Sequence, residues 1–248
     1  MPRFPLVLAA LALLAPVAPA TAQSRTTRPS RITETSPRLH FLYSYPAQAA
    51  AIPPLAARLR REGLASLAEA RRDAAAAGRG PRSGPDQVEQ VWEVSANTPD
   101  LLALGSSAST YQDGSAHGYS AYETLIWDRA RRRAIELSEL FSDRRRGITQ
   151  LMTELCARLN VARAQRWREQ GDGRPPPMRC PDPEEVAIAP GSEHAGKIES
   201  FHMIVTGEQT PDGYAGGSYE VEALLSPAIR ALIRPDLRRS FKDARPSR

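Results

Sequence analysis

The middle of the chain has three segments that are typical of β-strands. Residues 119–127 carry Tyr122, Thr124 and Ile126 at every second position, and residues 88–94 and 101–111 are further strand segments. Trp92 and Trp127 occupy positions in these segments that favour the core. Turn-forming residues separate the three segments. Because consecutive strands with short connections pair as neighbours, the pattern predicts an antiparallel meander.

Apolar residues three and four positions apart predict two longer helices. The first opens at Pro53-Pro54, where proline loses no hydrogen bond at the first helical position, and stops at the glycines of residues 78–84. The second is capped by Ser142 or Asp143. Its apolar face consists of Ile148, Leu151, Met152, Leu155, Leu159 and Ala162.

Three further strands and one short helix complete the predicted fold. The strands cover residues 40–45, 201–206 and 218–223, and the helix covers residues 227–233. Residues 171–195 contain too many prolines for a helix or a central strand. The sequence therefore predicts an α+β fold, in which an antiparallel meander sheet packs with two longer helices and a short C-terminal helix.

The first 22 residues have the organisation of an export signal. Arg3 is followed by an apolar stretch that contains two prolines, and Ala20-Thr21-Ala22 supplies a small-x-small cleavage site. We expect a Sec-type signal peptide cleaved after Ala22, and a periplasmic or secreted protein without a stable membrane span. Residues 23–38 and 242–248 hold little that can be buried, which predicts a disordered N-terminus and a flexible tail.

The amino-acid composition restricts the class of protein and the kind of partner. The chain has 248 residues, of which 41% are hydrophobic, and a formal net charge of +5. That balance excludes a disordered polyampholyte and a polytopic membrane protein. Of the 33 basic residues, only Lys197 and Lys242 are lysines. The arginine runs at residues 131–133 and 144–146 have acids nearby and no interleaved aromatics, so no nucleic-acid partner is expected.

The two cysteines, Cys156 and Cys180, form an even pair. In an oxidising compartment such a pair is most simply one structural disulfide, and the loop that it would close predicts a stabilisation of about 3.5 kcal/mol. A catalytic thiol is disfavoured because neither cysteine has a histidine nearby in the sequence. Metal binding by the pair is also disfavoured, since there is no Cys-x-x-Cys element.

No segment matches a catalytic motif. The serines in Gly105-Ser106-Ser107 and Gly118-Tyr119-Ser120 lack the second glycine of G-x-S-x-G, and no phosphate loop or dinucleotide fingerprint occurs. We therefore expect no enzymatic activity, no bound metal and no cofactor. One alternative stays open, a metal-dependent envelope hydrolase that would use His117, His194 or His202.

Several short motifs resemble, in their order along the chain, a bacterial extracytoplasmic family. The motifs are Gly114-Ser115-Ala116-His117-Gly118-Tyr119, the strand at residues 122–128, Leu137-Ser138-Glu139-Leu140-Phe141, the strand at residues 201–206, Tyr214-Ala215-Gly216-Gly217 and Leu225-Ser226-Pro227. Their order is similar to that of the PdaC/RsiV-like pair of domains of unknown function. The resemblance assigns residues 39–135 to a PdaC-like N-terminal half and residues 136–241 to an RsiV-like C-terminal half.

The resemblance implies a non-enzymatic binding module of the cell envelope. Related regions belong to a lysozyme-sensing anti-sigma factor and precede the catalytic domain of some peptidoglycan deacetylases, so the implied partner is a lysozyme-like protein or peptidoglycan. Neither signalling nor deacetylation is expected, because the sequence shows no sigma-binding segment and no deacetylase domain. His117, Tyr119 and Tyr214 are the predicted binding residues, although the glycines around them also suit a tight turn and a bulge before a strand.

Overall fold

Two β-sheets and two long helices form most of the chain that the computed structural model describes, which is residues 28–76, 84–171, 175–192, 196–211 and 217–243. The strands are β1 Ser30–Thr35, β2 Leu39–Tyr45, β3 Asp86–Asn97, β4 Leu101–Tyr111, β5 Tyr119–Asp128, β6 Arg133–Ile135, β7 Ala187–Gly191, β8 Ser200–Val205 and β9 Tyr219–Leu224. The helices are α1 Ala47–Ala50, α2 Pro53–Ala76, α3 Arg144–Gln170 and α4 Pro227–Leu232. The predicted α+β class is confirmed, while the predicted leader, residues 1–22, lies outside the described residues.

The larger sheet has six strands in the order β1-β2-β3-β4-β5-β6. Strands β3, β4 and β5 form the predicted antiparallel meander. Strands β2 and β3 run parallel, so the sheet is mixed and the meander is only part of it. Helix α2 lies in the connection between these two strands, because a parallel pair needs a crossover instead of a hairpin.

The structure corrects the prediction at the N-terminus. Strand β1, Ser30–Thr35, lies within residues 23–38, which the sequence predicts to be disordered. It pairs along its whole length with β2, from Ser30 opposite Tyr45 to Thr35 opposite His40. An edge strand of this kind needs few apolar side chains, since the ladder hydrogen bonds hold it and only Ile32 packs against the core. Polar composition alone therefore gave no sign of order.

Helix α2 covers one face of the larger sheet. Strand β2 buries every second residue beneath it, as the two-residue period of a strand requires. Trp92 and Trp127 are also buried, at 4% and 5% exposure, which confirms that they are core residues. Trp92 Nε1 donates a hydrogen bond to Tyr43 Oη at 3.0 Å, and Tyr43 donates to Glu62 Oε1 at 3.1 Å. Burial raises the pKa of both Tyr43 and Glu62, so this network is a packed structural unit.

The smaller sheet packs one face on helix α3. Its strands have the order β7-β8-β9, and all are antiparallel. The helix-facing residues of β8 are fully buried, as are the leucines of α3 that meet them. These residues are Phe201, Met203 and Val205 on β8 and Leu151 and Leu155 on α3. Strand β7 contains Pro190 and lies at the sheet edge, where a missing N–H is tolerated, so the prediction of no central strand in this region holds.

The predicted disulfide is confirmed. Cys156 on α3 is bonded to Cys180, and their Cα atoms are 5.7 Å apart. The same proline-rich segment is held by Arg163, which is only 2% exposed and donates from Nη2 to the carbonyl of Pro176 at 3.1 Å. These two contacts fix the segment that leads into β7 on the surface of α3.

The start of α3 carries an ion-pair group that should make stability depend on acid. The Arg133 guanidinium lies 2.7 Å from Glu139 Oε1 and, with a backbone bond and Arg144, lowers the pKa of Glu139 from 4.5 to about 2. A carboxylate with a lowered folded-state pKa stabilises the fold above its unfolded pKa and loses that contribution as the pH falls through the folded value. We therefore expect Glu139→Gln to be less stable than the wild type at pH 6.

Thermal unfolding of both proteins between pH 6 and pH 2 checks this prediction. The difference in melting temperature should shrink below about pH 4.5 and be nearly gone at about pH 2. A difference that stayed constant over the whole range would show that the charge of Glu139 does not contribute.

Candidate functional site

The face of the larger sheet opposite α2 is uncovered over its outer half. Strand alternation places one set of side chains from the meander on this face, and all of them are exposed or half-buried. We call this surface the open face, and it consists of Glu89, Val91, Glu93, Ser107, Ser109, Tyr111, Ser120 and Tyr122. It is a mixed polar and aromatic sheet surface with space for a partner.

The open face lies in a segment with unusual charge. Residues 83–128 contain seven acidic residues and no lysine or arginine, although the chain has 33 basic residues. Asp86, Asp100 and Asp128 are buried. Of the other four, Asp113 lies in the turn after β4 and Glu123 lies on the α2 side of the sheet, so Glu89 and Glu93 set the charge of the open face. This signal is readable from the sequence, yet sequence reasoning based on net charge and basic runs missed it.

The loop at the end of the meander carries two of the predicted binding residues. His117 is exposed, and its Nδ1 lies 3.2 Å from the carbonyl oxygen of Gly118. Tyr119 is 56% exposed at the first position of β5. Gly114 has a φ of +86°, as a tight turn requires, whereas a Cβ on Gly118 would lie 3.0 Å from the carbonyl oxygen of Thr110. The two glycines thus serve the turn, and they leave His117 and Tyr119 at its surface.

The third predicted binding residue, Tyr214, lies outside the described residues, as does His194. Gly217, which follows that loop, has a φ of +62°. Arg166 of α3 contacts the strand that follows, with its guanidinium 3.8 Å from the ring centre of Tyr219.

A cleft lies between the two sheets at the inner end of the open face. Its volume is about 440 Å³. Glu93, Tyr122 and Thr124 come from the larger sheet, and His202, Ile204 and Glu220 come from the smaller sheet. Small residues form much of the remaining lining. They are Gly105, Ala187, Ala189, Gly191 and Ser192.

A β-bulge joins the two sheets at the base of the cleft. The pairing of β3 with β4 shifts register between Val94 and Ala96, which turns the backbone of Ser95 away from the ladder. The Ser95 carbonyl accepts a hydrogen bond from the Ser192 N–H at 3.0 Å. The Ser95 side-chain oxygen is buried and has no hydrogen-bond partner within the described ranges. The bulge thus fixes the sheets together and leaves one polar atom unsatisfied beside the cleft.

His202 lies among polar side chains on the cleft side of the smaller sheet. Its Nε2 is 3.0 Å from Ser200 Oγ and 3.4 Å from Glu222 Oε1, and its Nδ1 is 4.0 Å from Glu220 Oε1. Ser200 is only 2% exposed, so its hydroxyl is not accessible as a nucleophile. In the described part of the chain, no three His, Cys, Asp or Glu side chains are grouped so that they could hold a metal ion.

Among the helices within the described ranges, none is both long and apolar enough to cross a membrane.

The comparison with known proteins shows a similarity of fold. No protein family profile matches the sequence, and no curated protein matches it. A DUF3298 family protein from Pseudomonas aeruginosa PAO1 has a similar structure, with a TM-score of 0.54 and 12% identity over 87% of this chain and 96% of that chain. A DUF3298 family member from Bacteroides fragilis NCTC 9343 has a TM-score of 0.49 and 14% identity over 84% of this chain and 93% of that chain. The likeness to the Pseudomonas protein shows that this chain has the fold of a DUF3298 domain, which is a domain of unknown function.

Proposed function

We propose that the protein is a non-enzymatic binding module of the cell envelope and that it docks a basic protein, such as a lysozyme-like enzyme, on its open face. The observation that carries this proposal is the absence of lysine and arginine from residues 83–128 in a chain with 33 basic residues. The proposed location depends on the predicted leader at residues 1–22, and the kind of partner depends on the family resemblance and on charge.

Charge favours a cationic partner over the wall polymer. Glu89 and Glu93 are exposed on the open face, and the residues directly beside them on that face carry no charge. These neighbours are Leu42, Val91, Gly105 and Ser109. Complementary charge speeds encounter and selects partners, while like charge disfavours them. Because peptidoglycan itself carries carboxylates, an acidic sheet face suits a basic protein better.

The composition of the meander also suits protein recognition. Three of the seven tyrosines of the chain, Tyr111, Tyr119 and Tyr122, lie between residues 105 and 124 together with five serines and three glycines. Tyrosine offers a large contact area at low entropic cost, and serine and glycine adapt to the partner, as in antibody loops. On the open face, Tyr111 is 38% exposed and Tyr122 is half-buried, so both are available as anchors. Tyr119 is 56% exposed, but strand alternation places it on the other face of β5.

Calorimetric titration of the full chain with a lysozyme of high isoelectric point tests the proposal. We expect saturable binding that weakens as salt is raised from about 0.05 M to about 0.3 M, because the attraction is screened. Glu89→Lys should weaken binding about tenfold, since it places a like charge against the partner. Glu69→Lys is the matched control, because Glu69 is exposed on α2, which lies on the other side of the sheet.

The lysozyme with acetylated lysines provides a second control, since acetylation removes positive charge without changing the fold of the partner. Equal affinities for the native and the acetylated partner, or equal effects of Glu89→Lys and Glu69→Lys, would contradict docking through the acidic face. If the chain sediments with insoluble peptidoglycan and does not bind lysozyme, the partner is the wall polymer and not a basic protein.

A further inference from the structure

The cleft between the two sheets has the size and the lining of a ligand site. A volume of about 440 Å³ falls within the range of small-molecule pockets, which is roughly 300–1,000 Å³. It could hold one long side chain with its neighbouring main chain. No lysine or arginine is among the residues that line it in the described part of the protein.

Two carboxylates line the cleft from opposite sheets, and both side chains are exposed. Glu93 comes from β3 of the larger sheet, and Glu220 comes from β9 of the smaller sheet. Within the described ranges neither has an ion pair with a lysine or an arginine, and the ionic contact of Glu220 is with His202 at 4.0 Å. Carboxylates on facing walls of a cleft focus a negative potential on the space between them. The space therefore attracts a cation.

Polar groups that could orient a ligand lie beside these carboxylates. His202 offers a ring nitrogen on the smaller sheet, and Tyr122 contributes an aromatic ring and a hydroxyl on the larger sheet. Ser95 Oγ is buried without a hydrogen-bond partner in the described residues, which is a costly state for a polar atom. Since this atom has almost no accessible surface, a ligand in the cleft does not reach it, and the cleft attracts a cation through its shape and its carboxylates.

The cleft is open because small residues line both walls. A Cβ added to Gly105 would meet no atom within 4 Å, so the space above this position is empty. On the opposite wall a Cβ at Gly191 would overlap the His202 ring and lie 2.7 Å from Ser200 Oγ. Glycine at 191 therefore lets the imidazole lie across β7, and glycine at 105 leaves volume for a ligand.

From this geometry we infer that the inter-sheet cleft is a binding site for one organic cation, a guanidinium or an alkylammonium group, held between Glu93 and Glu220. Such a group can reach the cleft as a free small molecule or as an arginine or lysine side chain of a partner protein. The inference does not require the proposed function, since a small cation can occupy the cleft without any protein on the open face.

Titration of the full chain with three capped peptides, followed by two-dimensional NMR, tests the inference. The probes are acetyl-Gly-Arg-Gly-amide, the corresponding lysine peptide and the corresponding citrulline peptide, which keeps the shape of arginine without its charge. We expect saturable shifts of the His202 ring and of the amides of residues 93–95 and 105 with the two cationic peptides. The citrulline peptide should cause no saturable shift at these positions.

Variants separate specific binding from general attraction to an acidic surface. Glu93→Gln and Glu220→Gln should each weaken the arginine peptide about threefold, in the range of partly exposed ion pairs. Gly105→Leu should abolish binding by filling the cleft, and its unchanged amide spectrum away from the cleft would show that it folds. Glu69→Gln, on the exposed side of α2, is the matched control and should leave the affinity unchanged.

Each outcome decides the inference. Equal shifts with arginine and citrulline peptides, or full binding by Gly105→Leu, would overturn it. If free methylguanidinium binds with the affinity of the arginine peptide, the ligand is the cation alone. If the peptide binds more tightly, the ligand is a basic side chain of a partner protein. A third result would separate the two proposals. If Glu89→Lys loses lysozyme binding, Gly105→Leu keeps it and the peptides do not bind, the proposed function stands and the inference of a cation site in the cleft is wrong.

Discussion

Replacing Cys156 and Cys180 together with alanine is expected to lower the free energy of unfolding by about 3.5 kcal/mol. The bridge spans a sequence separation of 24 residues, and a cross-link over such a loop removes conformational entropy from the unfolded chain. In the folded protein it joins α3 to the proline-rich segment before β7. The loss is large against a typical domain stability of about 5–15 kcal/mol.

Guanidinium chloride denaturation of the wild type and the double variant measures this loss. Reductant should lower the stability of the wild type by a similar amount and leave the variant unchanged, which separates the effect of the bond from the effect of the new side chains. A difference below about 1 kcal/mol would mean that packing and the Arg163 contact with Pro176 already hold the segment.

Gly147→Ala is expected to lower the free energy of unfolding by about 2 kcal/mol, although alanine favours a helix by about 1 kcal/mol over glycine. Gly147 lies in the first turn of α3, where an added Cβ would overlap Cβ and Cγ of Phe141. Those atoms are close to the backbone and cannot swing aside. Phe141 is also 2% exposed and stacks on Phe201, with ring centres 6.4 Å apart. The overlap must therefore move the core.

Two further variants make the Gly147 result specific. Thr149→Ala adds alanine to an exposed position of the same helix and should be neutral or stabilising. Phe141→Ala removes the Cγ atom that the new methyl group overlaps, so the double variant should lose at least about 1 kcal/mol less than the sum of the two single losses. Additive losses, or a more stable Gly147→Ala, would show that the Phe141 contact is not tight.

The elements with strong periodicity were predictable from the sequence. Both long helices begin where prolines or an N-cap residue predict, and Asp143 is the cap of α3, with its side chain accepting from the Arg146 N–H at 3.0 Å. Strands β1 and β7 were not predicted, because edge strands are held by backbone pairing and have weak side-chain patterns. The parallel pairing of β2 with β3 depends on tertiary contacts, so no local sequence pattern predicts it.

The candidate site was less predictable than the fold. The cleft combines β3 and β5 with β8 and β9, which are far apart in the sequence, and its glycines and alanines have no signature of their own. His202 gained its acidic neighbours only through the register that places it opposite Glu222. The turn that holds His117 was predictable, because glycines mark turns. The segment without basic residues was available as a signal, and local charge counting would have found it.

Hydrogen exchange of the full chain with and without a lysozyme of high isoelectric point tests the central claim most directly, because it maps where a basic protein docks. We predict slower exchange in the outer halves of β3, β4 and β5, including residues 105–124, and unchanged exchange in the exposed turns of α2. Protection confined to α2 or α3, or no protection under conditions where the complex forms, would contradict docking on the open face.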